Sequence, residues 1–238
     1  MNIRLRFEKE GPVKYVGHLD MMRYFQKAMK RANMDMCYSE GFNPHQIMSF
    51  AVPLGVGITS KGEYIDIAVN STRSSAESID ALNAVMAEGV KISGYRLLPD
   101  NAVNAMASVA AASYRVVSKK PFSTEFSFDK FLDTKKKWFD EASELMVTKP
   151  TKKSEVELDL KKLVYSFEIS VEEGCPVFDF FLSQGSMDNL KPQFVMEKLY
   201  EEMGLPFDVL DFYIHRNDIY TRIDEKFVSL GDIGEEIV

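Results

Sequence analysis

The sequence predicts an α+β protein made of two ferredoxin-like halves, each a β-α-β-β-α-β unit with an antiparallel sheet. Three observations carry that prediction. Residues 3–7 alternate, with Ile3, Leu5 and Phe7 on one face and Arg4 and Arg6 on the other, as in a half-buried strand. From His18 to Ala32 apolar residues return every three or four positions, as in an amphipathic helix. After a connector from Pro99 to Ala112, the succession of strand and helix patterns starts again at Ser113. The halves are placed at 1–100 and 113–221, with an acidic tail over 222–238.

Taken in order, the first strand ends at the Gly11-Pro12 turn. The helix from His18 has Leu19, Met22, Phe25 (or Tyr24), Met29 and Ala32 as its apolar stripe, and Asp20 in its first turn suits the helix dipole. Arg23, Lys27, Lys30 and Arg31 share its opposite face. Gly41 and Asn43-Pro44 mark a turn between Ser39 and His45. Ile47 to Val52 is expected as a strand, and Glu63 to Val69 as a second, with Ile65, Ile67 and Val69 facing away from Tyr64, Asp66 and Ala68. Ser74 or Ser75 caps a helix to about Glu88, and Ile92 to Leu98 closes the first half.

In the second half, Ser113 to Ser118 is a strand, Phe128 to Glu141 a helix, and Leu145 to Val147 a short strand before a polar turn over Lys149 to Lys153. Leu163, Tyr165, Phe167, Ile169 and Val171 alternate over nine residues. Pro176 to Leu182 extends the sheet after Glu173-Gly174. Asp188 or Asn189 caps a helix that Gly204 ends, and Phe207 to His215 is the last strand. No residue-level repeat links the halves.

Composition narrows the function classes. With 45% hydrophobic and 27% charged residues the chain is an ordinary globular one, and no apolar run nears the roughly 20 residues of a membrane span. The alternating N-terminus has no signal-peptide core, so the protein is expected in the cytoplasm, without membrane contact. Cys37 and Cys175 are then free thiols, and neither has a second cysteine at metal-ligand spacing. No cofactor or metal is expected on this chain. The net charge of −7 is uneven: residues 1–61 carry nine cations against five acids, and residues 201–238 carry three against ten. A basic N-terminal region leaves room for an anionic partner. Phosphate-binding glycine loops, dinucleotide fingerprints and nucleophile elbows are absent from the sequence.

Chemistry concentrates in the first third of the chain. His18 and Asp20 open a helix, where free N–H groups favour an anion and the pair is a candidate for acid/base work. The plainer reading is a capping arrangement. The Arg23, Lys27, Arg31 stripe can contact phosphates or be a solvated face. Phe42, Asn43 and His45 put a stacking ring, an amide and an imidazole on one turn, although Phe42 can equally plug a core. Glu63 and Asp66 point to opposite faces, so one of them at most joins a site. His215-Arg216 reads as the turn that ends the last strand.

Five blocks taken together resemble a known family. They are Ile3–Phe7, Gly17-His18-Leu19-Asp20-Met21-Met22-Arg23, Tyr38-Ser39-Glu40-Gly41-Phe42-Asn43-Pro44-His45, Pro53-Leu54-Gly55-Val56 and Gly62-Glu63-Tyr64-Ile65-Asp66. Their order and spacing resemble the radical-SAM-linked family, a domain of unknown function found beside or fused to radical SAM proteins of the cobalamin-binding type. The resemblance covers residues 1–70 and weakens beyond, where Asn189-Leu190-Lys191-Pro192 and His215-Arg216 are similar to its C-terminal blocks. Gly17 stands where the family usually has Ser, and Gln46-Ile47 where it usually has Pro-Lys. The resemblance implies an accessory to a radical SAM enzyme supplied as a separate polypeptide, and its usual gene neighbourhood implies RNA as substrate.

The expectation is therefore a binding protein that presents RNA or another anionic substrate to a radical SAM partner. Its contact residues would be Arg23, Lys27, Arg31, Phe42, Asn43, His45 and Glu63, with His18 also touching the anion. The alternative is a stand-alone enzyme on nucleic acid or nucleotide, with catalytic candidates His18, Asp20 and His45 and the two histidines as acid and base. A third reading is a structural partner-binding protein that docks through its acidic tail.

Overall fold

A computed structural model of the chain describes residues 1–123, 127–150, 154–185 and 189–238. The protein is α+β, and it divides into two compact units, Met1–Ala111 with His215–Val238, and Ala112–Ile214.

The first unit opens with β1 (Asn2–Lys9), α1 (His18–Arg31), two short strands β2 (Asp35–Met36) and β3 (Met48–Phe50), and the long β4 (Thr59–Ser71). α2 (Ser75–Asn83) and β5 (Val90–Leu97) complete the β-α-β-β-α-β order. β1 lies antiparallel between β4 and β5, and β2 and β3 both pair antiparallel with β4. This is ferredoxin-like, with the second strand of the motif split in two. A single-turn α3 (Ala105–Ser108) follows.

Local chemistry explains the helix limits. Ser74 Oγ accepts from Glu77 N while Glu77 accepts from Ser74 N, a capping box worth about 1 kcal/mol. α2 stops at Asn83, short of the expected Glu88, because the Asn83 amide turns to β5 and brackets Ile92 with bonds of 3.0 and 2.8 Å. α1 buries Met21, Phe25, Ala28 and Met29. The expected stripe is rotated: Leu19 lies about 120° from Phe25 around the helix and is 67% exposed. Met21, Phe25 and Met29 of α1 pack with Ile3, Leu5 and Phe7 of β1, Ile65, Ile67 and Val69 of β4, Leu82 of α2 and Ile92 of β5 into one core.

The second unit runs β6 (Ala111–Ser118), α4 (Phe128–Lys135), which continues as a wider π turn to Asp140, then β7 (Met146–Pro150) and β8 (Glu155–Asp159). After a short α5 (Leu160–Leu163) come β9 (Val164–Glu172), β10 (Cys175–Ser183), α6 (Pro192–Glu202) and the start of β11 (Phe212–Ile223). The order β11-β6-β10-β9 is again ferredoxin-like. β9 and β10 join through Glu173 and Gly174, both at positive φ (49° and 77°), the backbone that a tight hairpin needs.

Several boundaries differ from expectation. The run at Leu145–Val147 is not the second strand of the sheet; β7 and β8 form their own two-stranded hairpin, and β9 takes that place. Residues 207–211 are not strand, since Val209–Asp211 form a 3₁₀ turn with Asp208 accepting from Leu210 N. α6 is entered from Lys191 with Pro192 first, so Asn189 is not its cap. Asp188, and residues 151–153 of the expected turn, lie outside the described residues.

From His215 the chain belongs to the first unit. His215 and Arg216 pair parallel with Thr59 and Ser60, and β12 (Lys226–Ser229) pairs with β11. The stretch 222–238 is thus no loose tail. Its acids stay exposed, but Leu230 is fully buried, Glu235 exchanges backbone bonds of 2.9 and 3.0 Å with Leu97, and Ile237 O accepts from Ser75 N. Among the described residues no helix is long and apolar enough to cross a membrane.

Candidate functional site

Where α1 begins, the first unit buries a group of charges. The register of β1 against β4 breaks between Phe7 and Lys9, which brings Lys9 opposite Ser60. Glu63 lies on the face of β4 that also carries Ile65 and Ile67, so its carboxylate enters the apolar side of the sheet. Arg216 of β11 meets it there: Nε donates to Oε1 at 2.8 Å and Nη2 to Oε2 at 2.5 Å, with the side chains 2% and 5% exposed. Nη2 also donates to Val52 O at 3.2 Å. The buried Lys9 amine donates to Val16 O at 2.7 Å, one residue before the helix N-cap Gly17.

His18 is the residue of this group that reaches the surface. Its ring stands edge-on to Phe50 at 5.2 Å, and Phe50 in turn packs on Phe7 and Phe25. Burial holds the His18 pKa below its usual value, Lys9 lowers it further, and Glu63 opposes both. Burial likewise depresses Lys9, with Glu63 working against it and Arg216 with it. His215, whose Nδ1 lies 2.8 Å from Thr59 Oγ1, is also lowered, chiefly by burial. The arrangement is two buried cations, one carboxylate and two imidazoles biased towards the neutral form. Such an imidazole accepts a proton or a hydrogen bond at neutral pH.

A second feature grows from the split strand. Cys37 N donates to Ala68 O (2.8 Å) and Ala68 N to Ile47 O (3.1 Å), so residues 37 and 47 meet the same rung of β4 and the chain between them is an excursion. Its stem is closed by Ile47 N to Cys37 O (3.0 Å), by Ser39 N to His45 O (2.8 Å) and by a Tyr38–Gln46 bridge. Ser39 Oγ also lies 2.8 Å from His45 Nδ1 and accepts from His45 N. At the tip Gly41 takes φ 111°, a conformation that favours glycine. Phe42 is 112% exposed, so the ring plugs no core, and Asn43 is exposed beside it. Gln46, at the base, is 5% exposed, and neither atom of its amide has a hydrogen-bond partner among the described residues.

The cations of α1 separate by role. Lys27 and Lys30 are exposed and their amines have no partner among the described residues. Arg23 makes a loose, exposed pair with Asp20 at 3.4 Å, a contact worth little in water. Arg31 is occupied: Nη2 donates to Val85 O at 3.0 Å, just past the end of α2, and its guanidinium lies 6.0 Å from the Tyr24 ring. It satisfies carbonyls that the helix end leaves open.

The structure therefore brings His18, Lys9, Glu63 and Arg216 together, and sets Phe42, Asn43 and His45 on the excursion. Among the described residues it shows no contact between His18 and His45. His18 packs on Phe50, which pairs with Ile65, while the excursion leaves β4 at Ala68, roughly 10 Å further along the strand. Asp20 is at the surface with Arg23 and takes no part in the buried group. Glu63 grips an arginine and faces no solvent. Lys9 carried no signal of its own in the sequence, and His215-Arg216, expected as the turn that ends the last strand, lie inside β11, which runs on to Ile223. The signal for them was Glu63 itself, a carboxylate in register with Ile65 and Ile67, which requires a buried cationic partner.

Residues 2–192 match the family model described as "Uncharacterized protein conserved in bacteria" (DUF2344), and the chain belongs to that family. No curated protein matches the sequence. Among solved structures, a chain in the crystal structure of a Cbf5-Nop10-Gar1 complex is similar at a TM-score of 0.48 and 10% identity. The match covers 91% of this chain and 48% of that one, so this chain spans about half the length of that relative. A likeness at that level carries no functional argument.

Proposed function

We propose that this DUF2344 protein is a cytoplasmic accessory that binds RNA or another anionic substrate through its first unit and presents it to a separate radical SAM enzyme. One observation carries the reading: Phe42 holds a fully exposed aromatic ring at the tip of an excursion whose stem is fixed by backbone bonds. A ring kept in water gains by stacking on a base, a contact worth about 1–3 kcal/mol. Asn43 and the open side of His45 offer polar contacts beside it. Lys27 and Lys30, with Arg23, supply exposed positive charge on α1 for phosphates. The radical SAM partner rests on the sequence blocks that resemble the linked family. The iron–sulfur cluster would be the partner's, since Cys37 and Cys175 are free and lie in different units of this chain.

Fluorescence anisotropy with a labelled single-stranded RNA tests the binding half of this reading. Phe42→Ala is expected to weaken binding by about 5-fold to 150-fold, the equivalent of the stacking energy. Affinity unchanged by Phe42→Ala would contradict it. The partner half is tested by co-purification of a radical SAM protein with the tagged chain from native cells; recovery of the chain without one would contradict it.

A further inference from the structure

The face of β1 that points away from α1 holds a different site. Arg4 and Arg6 lie on that face, and the pairing with β5 sets Arg4 opposite Arg96 and Arg6 opposite Gly94. Like charges directly opposite one another destabilise a sheet unless something compensates them. Arg4 is compensated: Asp66 accepts from its Nε and Nη2 at 2.7 and 2.9 Å, and Asp66 also accepts from Ala105 N. Arg6 and Arg96 are not compensated in that way. Arg6 Nε donates to Lys61 O at 3.2 Å, and its nearest carboxylate, 3.8 Å away on Asp218, already accepts from Tyr64 and Ser229. Arg96 Nη1 donates to Gly234 O at 2.9 Å.

A pocket of about 300 Å³ within the first unit is lined by Arg6 and Arg96, and also by Tyr64, Ser93, Asp232 and Glu236. The backbone makes room for it. The register of β1 against β5 shifts between Arg6 and Phe7, and a Cβ on Gly94 would lie 3.1 Å from the Arg6 Cβ, tighter than ordinary contact. Asp232 and Glu236 are exposed at the rim and form no ion pair with Arg6 or Arg96 among the described residues. The lining is thus divided, cationic on the strands and anionic on the C-terminal segment.

We propose that this pocket binds a small phosphate ester that also carries hydroxyl or amine groups. The phosphate sits between Arg6 and Arg96, whose planar forks match its oxygens and whose two charges match a dianion. Asp232 and Glu236 accept from the ligand's hydroxyl or amine donors, which is why a bare anion is the poorer ligand. The pocket does not include Phe42, Lys27 or Lys30, so it stands or falls independently of RNA binding.

Calorimetric titration of the full chain tests the proposal, with ribose 5-phosphate as the probe and ribose and inorganic phosphate as comparison arms. Saturable binding of ribose 5-phosphate, weaker binding of phosphate and none of ribose are expected. Arg6→Gln should weaken ribose 5-phosphate about tenfold or more. Asp232→Asn with Glu236→Gln, both at exposed positions that leave the fold intact, should weaken ribose 5-phosphate and not inorganic phosphate. No saturable binding of ribose 5-phosphate up to millimolar concentration would overturn the proposal. So would equal affinity in wild type and Arg6→Gln. Equal affinity for phosphate and its ester would overturn the role given to Asp232 and Glu236.

Discussion

Replacing Glu63 by Gln removes the carboxylate that Arg216 grips with two bonds, in a place where water cannot substitute for it. The two side chains are 5% and 2% exposed, so the guanidinium is left charged in an apolar surrounding, with buried Lys9 as a like-charged neighbour. Breaking such a pair from one side costs about 3–5 kcal/mol, a large part of the roughly 5–15 kcal/mol that holds a domain together. Removing both charges at once, as Glu63→Met with Arg216→Met, costs much less, because no orphaned ion remains. Urea unfolding of wild type, Glu63→Met, Arg216→Met and the double variant yields all four stabilities and the coupling between the positions, with Glu63→Gln measured beside them. A loss under about 1 kcal/mol for Glu63→Gln, or a double variant no more stable than the weaker single one, would refute the burial cost of the unpaired ion.

Three further outcomes follow from the same structure. His18 and His215 both titrate below the usual histidine value, so just below about pH 6.5 the unfolded chain binds more protons than the folded one. Stability from this source is complete above that pH and is lost as the pH falls through the folded values. Unfolding midpoints between about pH 7 and pH 5 should therefore decline, and His18→Gln with His215→Gln should flatten the decline. Because Glu63 raises the His18 pKa, Glu63→Gln should lower it further, which an NMR titration of the His18 ring resolves. Gln46→Leu removes a buried amide that has no partner among the described residues and should stabilise the chain by about 1–3 kcal/mol in urea unfolding; a loss of stability would show that the amide is engaged.

How far the sequence was readable depended on how local each cause was. The alternation of Ile3, Leu5 and Phe7 and of Ile65, Ile67 and Val69 placed both strands with their correct inner faces, and a serine cap at Ser74 or Ser75 announced the start of α2. Gly41 and its neighbours marked a turn because turn chemistry lies within a few residues. What stayed hidden is set by distant partners. Arg216 finds Glu63 across 153 residues, and Glu235 finds Leu97 by backbone bonds alone, which leave no trace in side-chain pattern. The acidic character of 222–238 reported its solvent face and masked Leu230, which anchors it. Leu145 to Val147 was too short a run to tell a place in the main sheet from a separate hairpin. Arg31 shares the sequence spacing of Lys27 and Lys30, yet one of its N–H groups is held by Val85 O beside it.

Anion binding by the exposed cations of α1, together with the Phe42 excursion, is tested most directly by the salt dependence of RNA binding. For single strands the slope of log affinity against log salt is about −0.7 per neutralised phosphate. Substituting Arg23, Lys27 and Lys30 together by Gln should reduce the magnitude of that slope by about 2. An unchanged slope would contradict the claim.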